Sequence, residues 1–242
     1  NCLLSFTNIY MLEKKYLKIG EQKRECYLSY SVNKLKGKKA PVIIFLHGMD
    51  GAWPNRFFTK PQYQYINQVA WKKNFIAVFP KGTIGACNTK NNHKYLLYYC
   101  WSTKDNIDRN FLISLKNTVV SQYQADPEKV YLLGFSNGGY FVANYIINYH
   151  NNNFAGFGIN SAGGNFENNF RPADFTEKFP ISLNVGKKDE YQLEPMRKLK
   201  NDFLKLGWKL DDNLHYQEFN AQHEMSRNAF DQEIDFLLGK KY

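Results

Sequence analysis

The sequence predicts an α/β fold, a mostly parallel central sheet flanked by helices. Two observations carry this prediction. Five apolar stretches, residues 42–46, 75–79, 130–135, 154–159 and 181–185, read as strands buried on both faces. Between them lie segments whose apolar residues recur at helical spacing, and alternation of the two kinds implies strands joined by helical crossovers. No internal repeat, low-complexity linker or second core is visible, so residues 1–242 read as a single domain. Within it, 1–32 hold amino-terminal edge strands and 41–238 form the core that carries the chemistry.

Taken in order, residues 14–32 alternate polar and apolar side chains through Tyr16, Leu17, Ile19, Cys26, Leu28 and Tyr30. This pattern predicts two antiparallel edge strands joined around Gly20. Residues 42–46 end in His47-Gly48, the turn after a central strand. Ile107, Phe111, Leu115 and Val119 recur every four residues and predict an amphipathic helix that Asp126-Pro127 stops. Phe141, Val142, Tyr145 and Ile146 mark a second helix, and Met196, Leu199, Phe203 and Leu204 a third that Gly207 ends. Residues 214–219 predict one more strand, and Phe230, Ile234, Leu237 and Leu238 a last helix closed by Gly239.

Composition bounds the function. The chain is 43% hydrophobic and 17% aromatic, enough to bury a sizeable core. Its longest apolar runs, 41–46 and 75–80, fall far short of the roughly 20 residues that cross a bilayer, so no transmembrane segment is expected. No stretch has the make-up of an export signal, which was therefore removed or never present. Lys and Arg number 32 against 22 Asp and Glu, a net charge of +10. The basic residues are scattered and no nucleic-acid motif accompanies them, so a solvated surface is expected and no nucleic-acid partner. Cys2, Cys26, Cys87 and Cys100 contain no C-x-x-C pair, which argues against zinc. Cys87 and Cys100 bracket a Lys/Asn/Tyr loop and are expected to form a disulfide, while the sequence gives little support to pairing Cys2 with Cys26. That reading implies an extracytoplasmic, periplasmic or secreted protein; four reduced cysteines in a cytoplasmic one are the alternative.

The chemistry concentrates at Gly134-Phe-Ser136-Asn-Gly138, a G-x-S-x-G pentapeptide. A predicted strand leads into it and a predicted helix leaves it, the context that holds a serine on a strained turn. Side chains at 134 or 138 would crowd the neighbouring strand and helix as the chain reverses. The helix amino terminus would point N–H groups at an oxyanion formed beside Ser136. A serine hydroxyl needs a base, and the base needs a carboxylate to fix its tautomer. Asp189 follows the strand at 181–185 and is the expected acid, with Glu190 its competitor. His223 lies between the last strand and the last helix and is the expected base. His215 lies within a strand, His150 at a helix end and His93 in a polar loop, while His47 is expected to buttress its loop. The order Ser136, Asp189, His223 is that of α/β-hydrolases.

These residues resemble the esterase family that contains polyhydroxybutyrate depolymerases and feruloyl esterases. The resemblance runs from about Arg24 to Leu238. It is carried by Leu46-His-Gly48, Phe79-Pro-Lys-Gly-Thr83, the stretch 105–112, Asp126-Pro-Glu-Lys-Val-Tyr131 and Gly134-Phe-Ser-Asn-Gly-Gly139. It implies the α/β-hydrolase fold, Ser136 as nucleophile, Asp189 as acid, His223 as base, and the N–H groups of Met49 and Asn137 as oxyanion hole. Gln222 stands where the family often has glycine, which puts the placement of the histidine loop in question, and Met49 or Asp50 where many members have Cys or Gly. No extra binding module accompanies the core, which argues against a dedicated polyester depolymerase.

The expected function is therefore a serine carboxylic-ester hydrolase acting through an acyl-enzyme, without metal or cofactor, on a small-molecule or oligomeric ester. Residues 161–180 are short, polar and turn-rich, which predicts an open cleft without an extensive lid. Trp101, at the end of the 87–102 loop, would be an aromatic wall of that cleft or a core anchor beside the disulfide. An open cleft favours short-chain or aromatic acyl groups, of the feruloyl or acetyl type. A polyhydroxybutyrate or oligomer depolymerase, or a noncatalytic binding protein that kept the fold, are the rival readings.

Overall fold

The computed structural model describes residues 11–19, 22–30, 38–51, 61–87, 98–103, 106–149, 153–164, 175 and 177–239. Cys2, Gly20, His93, His150, the 88–97 loop and most of 165–176 lie outside the described residues.

Eight strands form one sheet: β1 (Met11–Ile19), β2 (Gln22–Tyr30), β3 (Ala40–Leu46), β5 (Ile76–Pro80), β8 (Ala125–Phe135), β9 (Gly156–Asn160), β10 (Ile181–Gly186) and β11 (Leu214–Phe219). Their spatial order is β1-β2-β5-β3-β8-β9-β10-β11. From β5 to β11 every pairing is parallel, whereas β2 runs antiparallel to both β1 and β5. The strands at 14–32 are thus antiparallel, as expected, but only β1 is an edge; β2 is covered on its other side by β5.

Among the described residues five helices cover the sheet: α1 (Pro61–Lys73), α2 (Ile107–Gln122), α3 (Asn137–Tyr149), α4 (Leu193–Lys205) and α5 (Arg227–Leu237). Strand side chains alternate between two cores because successive residues point to opposite faces. Val42, Ile44 and Leu46 of β3 join Phe111 and Leu115 of α2, Phe141 and Val142 of α3, and Met196 and Phe203 of α4. Ile43 and Phe45 join Tyr63 and Ile66 of α1, and Phe230 and Ile234 of α5. Three helices therefore lie on one face and two on the other.

Several details depart from the expected pattern. Helix α2 ends at Gln122, where Tyr123 turns extended, before Asp126-Pro127 is reached. Pro127 instead lies in β8, where the register with β3 shifts between Ala125 and Val130, so its missing N–H breaks no ladder bond. Helix α1 is not signalled by the apolar spacing of its residues. Nor is a second, three-stranded sheet of β4 (Asp50–Gly51), β7 (Tyr98–Cys100) and β6 (Thr83–Ile84), ordered β4-β7-β6. Among the described residues no helix is long and apolar enough to cross a membrane.

A disulfide closes this small sheet on itself, and a buried ion pair ties it to the large one. Cys87 and Cys100 form a disulfide with their Cα atoms 5.7 Å apart. Cys26 is a buried free thiol, which burial pushes up to about 12. Asp108, fully buried at the start of α2, pairs with Arg24 of β2 and accepts the Ser102 N–H at 2.6 Å and the Thr83 hydroxyl at 3.1 Å. Arg24 also donates to the Lys81 carbonyl at 2.8 Å and lies 3.9 Å over the Phe111 ring. Because both charges are out of water, removing one leaves the other uncompensated. Asp108→Ala should lower the unfolding free energy in urea by about 3–5 kcal/mol, and a midpoint equal to wild type would contradict the pairing. Replacing Cys87 and Cys100 with serine should remove about 3 kcal/mol by the loop-entropy relation, read from the same titration.

Candidate active site

Ser136 is the turn between β8 and α3, with φ at +52°. A serine held in the left-handed region costs about 1–3 kcal/mol, so its surroundings must enforce it. Its N–H donates to the Asn160 carbonyl at 2.9 Å and its own carbonyl accepts the Tyr140 N–H at 2.8 Å. The reversal also requires backbone-to-backbone packing. A Cβ on Gly134 would lie 2.3 Å from the Gly138 carbonyl, and one on Gly138 would lie 2.4 Å from the Leu46 oxygen. Asn137 is the first residue of α3, so its N–H has no intrahelical partner and the positive end of the helix dipole lies at Ser136.

Asp189 follows β10 and is buried, whereas Glu190 beside it is exposed. The Asp189 Oδ1 accepts the Gln192 N–H at 3.1 Å, and its Oδ2 lies 2.7 Å from His223 Nδ1. The Nε2 of His223 lies 2.9 Å from Ser136 Oγ. The three residues named from sequence thus form one hydrogen-bonded series. A carboxylate at Oδ2 selects the tautomer with the proton on Nδ1, leaving the Nε2 lone pair to receive the serine proton. The Phe135 ring packs 5.1 Å from the imidazole and limits its swing.

The loops that carry Asp189 and His223 are locked together by main chain. Lys187 N–H donates to the Phe219 carbonyl at 2.7 Å, and Lys188 N–H to the Ala221 carbonyl at 2.9 Å. A Cβ on Gly186 would stand 2.3 Å from the Gln222 oxygen and 2.4 Å from the Ala221 oxygen. The close approach is therefore made by Gly186, and the exposed Gln222 side chain is accommodated outside it.

On the other side of Ser136, the turn after β3 comes close through Gly48, where a Cβ would lie 3.2 Å from the serine Cβ. Met49 follows and is partly exposed. His47 is buried and its Nε2 accepts the Gly82 N–H at 2.9 Å, so its Nδ1 carries the proton that meets the Gly48 carbonyl. That places His47 as a buttress of the loop. Trp101 is 2% exposed and therefore not an aromatic wall. Its indole N–H donates to the His47 carbonyl at 3.0 Å and its main-chain N–H to Asn137 Oδ1 at 2.7 Å. It anchors the loop from behind, next to the disulfide. His215 packs 5.5 Å from Phe236, and burial lowers its pKa.

Among the described residues two cavities flank His223. One of about 290 Å³ is lined by Tyr65, Phe135, Met225 and Arg227, and one of about 340 Å³ by Lys188, Glu190, Tyr191 and Gln222. Gln192 is a site residue that the motif reading misses. Its N–H holds Asp189, while its side-chain oxygen accepts the Tyr140 hydroxyl at 2.6 Å and the Gly163 N–H at 3.2 Å. Its position three residues after Asp189, directly before a helix, is the signal that could have found it.

The sheet order, the single strand running against the others and the serine turn between β8 and α3 define an α/β-hydrolase fold. Residues 26–171 match the family model described as Esterase PHB depolymerase, more than half of the chain, and the chain belongs to that family. It is 27% identical over 106 residues to the bifunctional acetylxylan esterase/xylanase XynS20E of Neocallimastix patriciarum, a match covering 42% of this chain and 13% of that protein. The chain thus spans a small part of that relative. Among solved structures, the CE1 ferulic acid esterase AmCE1/Fae1A of Anaeromyces mucronatus superposes with a TM-score of 0.65 at 16% identity, covering 96% of this chain and 90% of the other. A thermostable esterase superposes with a TM-score of 0.59 at 18% identity, covering 87% of this chain and 55% of the other. At such identities these structures speak for the fold.

Gly186→Ala tests the loop contact. Its Cβ must displace the 221–222 carbonyls, so the reaction of Ser136 with a fluorophosphonate should slow about 100-fold, as for an ångström-scale misplacement, while the circular dichroism spectrum is kept. An unchanged rate would show that the contact does not position His223.

Proposed function

We propose that the protein is a serine carboxylic-ester hydrolase working through an acyl-enzyme. The observation that carries this reading is the unbroken series Ser136 Oγ, His223 Nε2, His223 Nδ1, Asp189 Oδ2, with both contacts at hydrogen-bond length. Ser136 Oγ attacks the ester carbonyl as His223 Nε2 takes its proton, and Asp189 steadies the imidazolium. The oxyanion is received by the N–H groups of Met49 and Asn137, the second at the positive end of α3. His223 then returns the proton to the departing alcohol. A water molecule, activated by the same nitrogen, attacks the acyl-enzyme and frees the acid. No step calls for a metal or organic cofactor.

Two modest cavities beside His223 support a reading of the substrate class. Each offers room for a short or aromatic acyl group or a sugar alcohol, and neither is an apolar tunnel for a long chain. The relatives' names, acetylxylan esterase and ferulic acid esterase, support esters of that type. The family description keeps hydroxybutyrate oligomers as the rival substrate. The Cys87–Cys100 disulfide supports an oxidising, extracytoplasmic setting.

A fluorophosphonate should label Ser136 in the wild-type protein and leave Ser136→Ala unlabelled. His223→Ala should lower kcat by about 10⁴-fold or more, whereas His215→Ala stays within a few-fold. Across nitrophenyl esters of rising acyl length, with feruloyl and hydroxybutyrate esters included, kcat/KM should peak at short or aromatic acyl groups. A folded protein that takes no label would favour a noncatalytic binding protein, and a peak at long chains would overturn the cleft argument.

A further inference from the structure

The face of the sheet covered by α5 is apolar at β3 and β5 but polar at β9 and β10. Phe157, Ile159, Ile181, Leu183 and Val185 all point into the opposite core, which leaves Gly158, Asn160, Ser182 and Asn184 beneath α5. Against them lies Glu233, with no exposed surface. Asn160 Nδ2 donates to both Glu233 carboxyl oxygens at 3.2 Å, and Ser182 and Asn184 also hydrogen-bond it. Asn184 Nδ2 reaches Asn160 Oδ1 at 3.3 Å and Ser182 Oγ at 3.2 Å. Gly158 makes the room, since a Cβ there would lie 2.3 Å from Glu233 Oε1. The same Asn160 supplies, through its main-chain carbonyl, the acceptor for the Ser136 N–H.

We propose that Glu233 is a positioning residue for Ser136: its carboxyl pins Asn160 at the end of β9, and Asn160 holds the serine turn in its left-handed conformation. This rests on the serine-esterase reading above. The charge state of the carboxyl follows from what surrounds it. Its hydrogen-bond partners are all neutral. Tyr131 of β8, His215 of β11, and Tyr65 and Lys73 of α1 pack against the same layer, and Arg227, Asp231 and Asp235 share its helix. Lys73 is taken up by Asp231 and Asp235, and Tyr65 donates to Asp231. None of these groups is among the partners of Glu233. Burial therefore dominates over the three hydrogen bonds that favour the anion, and pushes the carboxyl up to about 8 from the ordinary value of 4.5. At neutral pH Glu233 is a neutral acid with a proton to donate, and Asn184 Oδ1 is a buried acceptor in the same cluster with no other donor. Above that range a buried carboxylate with no cationic partner forms behind the turn, and its desolvation cost is relieved by opening the packing that holds Asn160 and Ser136.

The linkage has a definite sign. The native chain keeps the proton while the unfolded chain loses it above about 4.5, so the contribution to stability is complete below that pH and declines as pH rises towards 8. Glu233→Gln keeps the shape and the donors without the titration. The test compares wild type, Glu233→Gln and Glu233→Leu by fluorophosphonate labelling rate at Ser136 from pH 6 to 10, by urea unfolding over pH 5–9, and by the infrared band of a protonated carboxyl. Wild type should show that band at neutral pH, lose it near pH 8, and lose labelling rate over the same range. Glu233→Gln should lack the band and react within a few-fold of wild type at neutral pH. It should also keep its rate past pH 8 and show a flatter decline of stability with pH. Glu233→Leu, where folded, should react at least tenfold more slowly at every pH. A Glu233→Gln profile superposing on wild type, or a folded Glu233→Leu with the wild-type rate, would overturn the proposal. Wild-type protein that takes no label while its carboxyl band titrates near pH 8 would defeat the serine-esterase reading instead.

Discussion

The structure depends on one close approach. At Gly134 and Gly138 helix α3 presses on β8 and on the end of β3 with no side chain between. That contact lets the chain reverse within a single residue, forces Ser136 into the left-handed region, and aims the amino terminus of α3 past the serine hydroxyl. A bulkier contact would widen the turn and point the hydroxyl elsewhere. The parallel sheet is the frame that makes this approach rigid, because β3, β8 and β9 hold the turn from below through continuous ladders.

Around that point, three loops from distant parts of the chain converge at the carboxyl ends of parallel strands, each fixed by main-chain hydrogen bonds. The loop after β10 carries Asp189, the loop after β11 carries His223, and the turn after β3 carries Gly48 and Met49. Trp101, His47 and Gly82 form the rear wall of the last. The polar groups that orient the series at Ser136 are themselves oriented: Gln192 by Tyr140 and Gly163, Asp189 by Gln192, His223 by Asp189. Such nested support fixes the geometry of the series, since each layer removes rotamer freedom from the one before it.

Much of this is legible in the sequence, for a physical reason. A parallel strand buried on both faces must be apolar throughout, so residues 42–46 and 130–135 announce themselves, and a strand running into Gly-x-Ser-x-Gly fixes where the sheet ends. The order of acid and base after the serine then places Asp189 and His223 at strand ends. What stays hidden depends on non-local pairing. The alternation in 22–30 shows a strand but not that it lies between β1 and β5. The strands β4, β6 and β7 are two or three residues long and exist only through their partners. Helix α1 buries Tyr63, Ile66, Val69 and Ala70, but Tyr65 and Trp71 between and beside them blur its periodicity. Trp101 carries no local sign of which side of its loop it faces. Glu233, in an amphipathic helix, reads as a solvent-facing carboxylate until Gly158 is seen opposite it.

The outer strand β1 has a consequence of its own. It is nine residues long, and one of its edges meets no other strand among the described residues. Such an edge is a template on which another chain's strand could be laid. Here Lys14 and Lys18 stand exposed along it, with Lys15 and Lys23 nearby on the hairpin. A strand approaching that edge would have to strip water from ammonium groups without offering them a partner, a cost that blocks edge-to-edge growth. The exposed lysines of β1 thus guard the sheet where it is open.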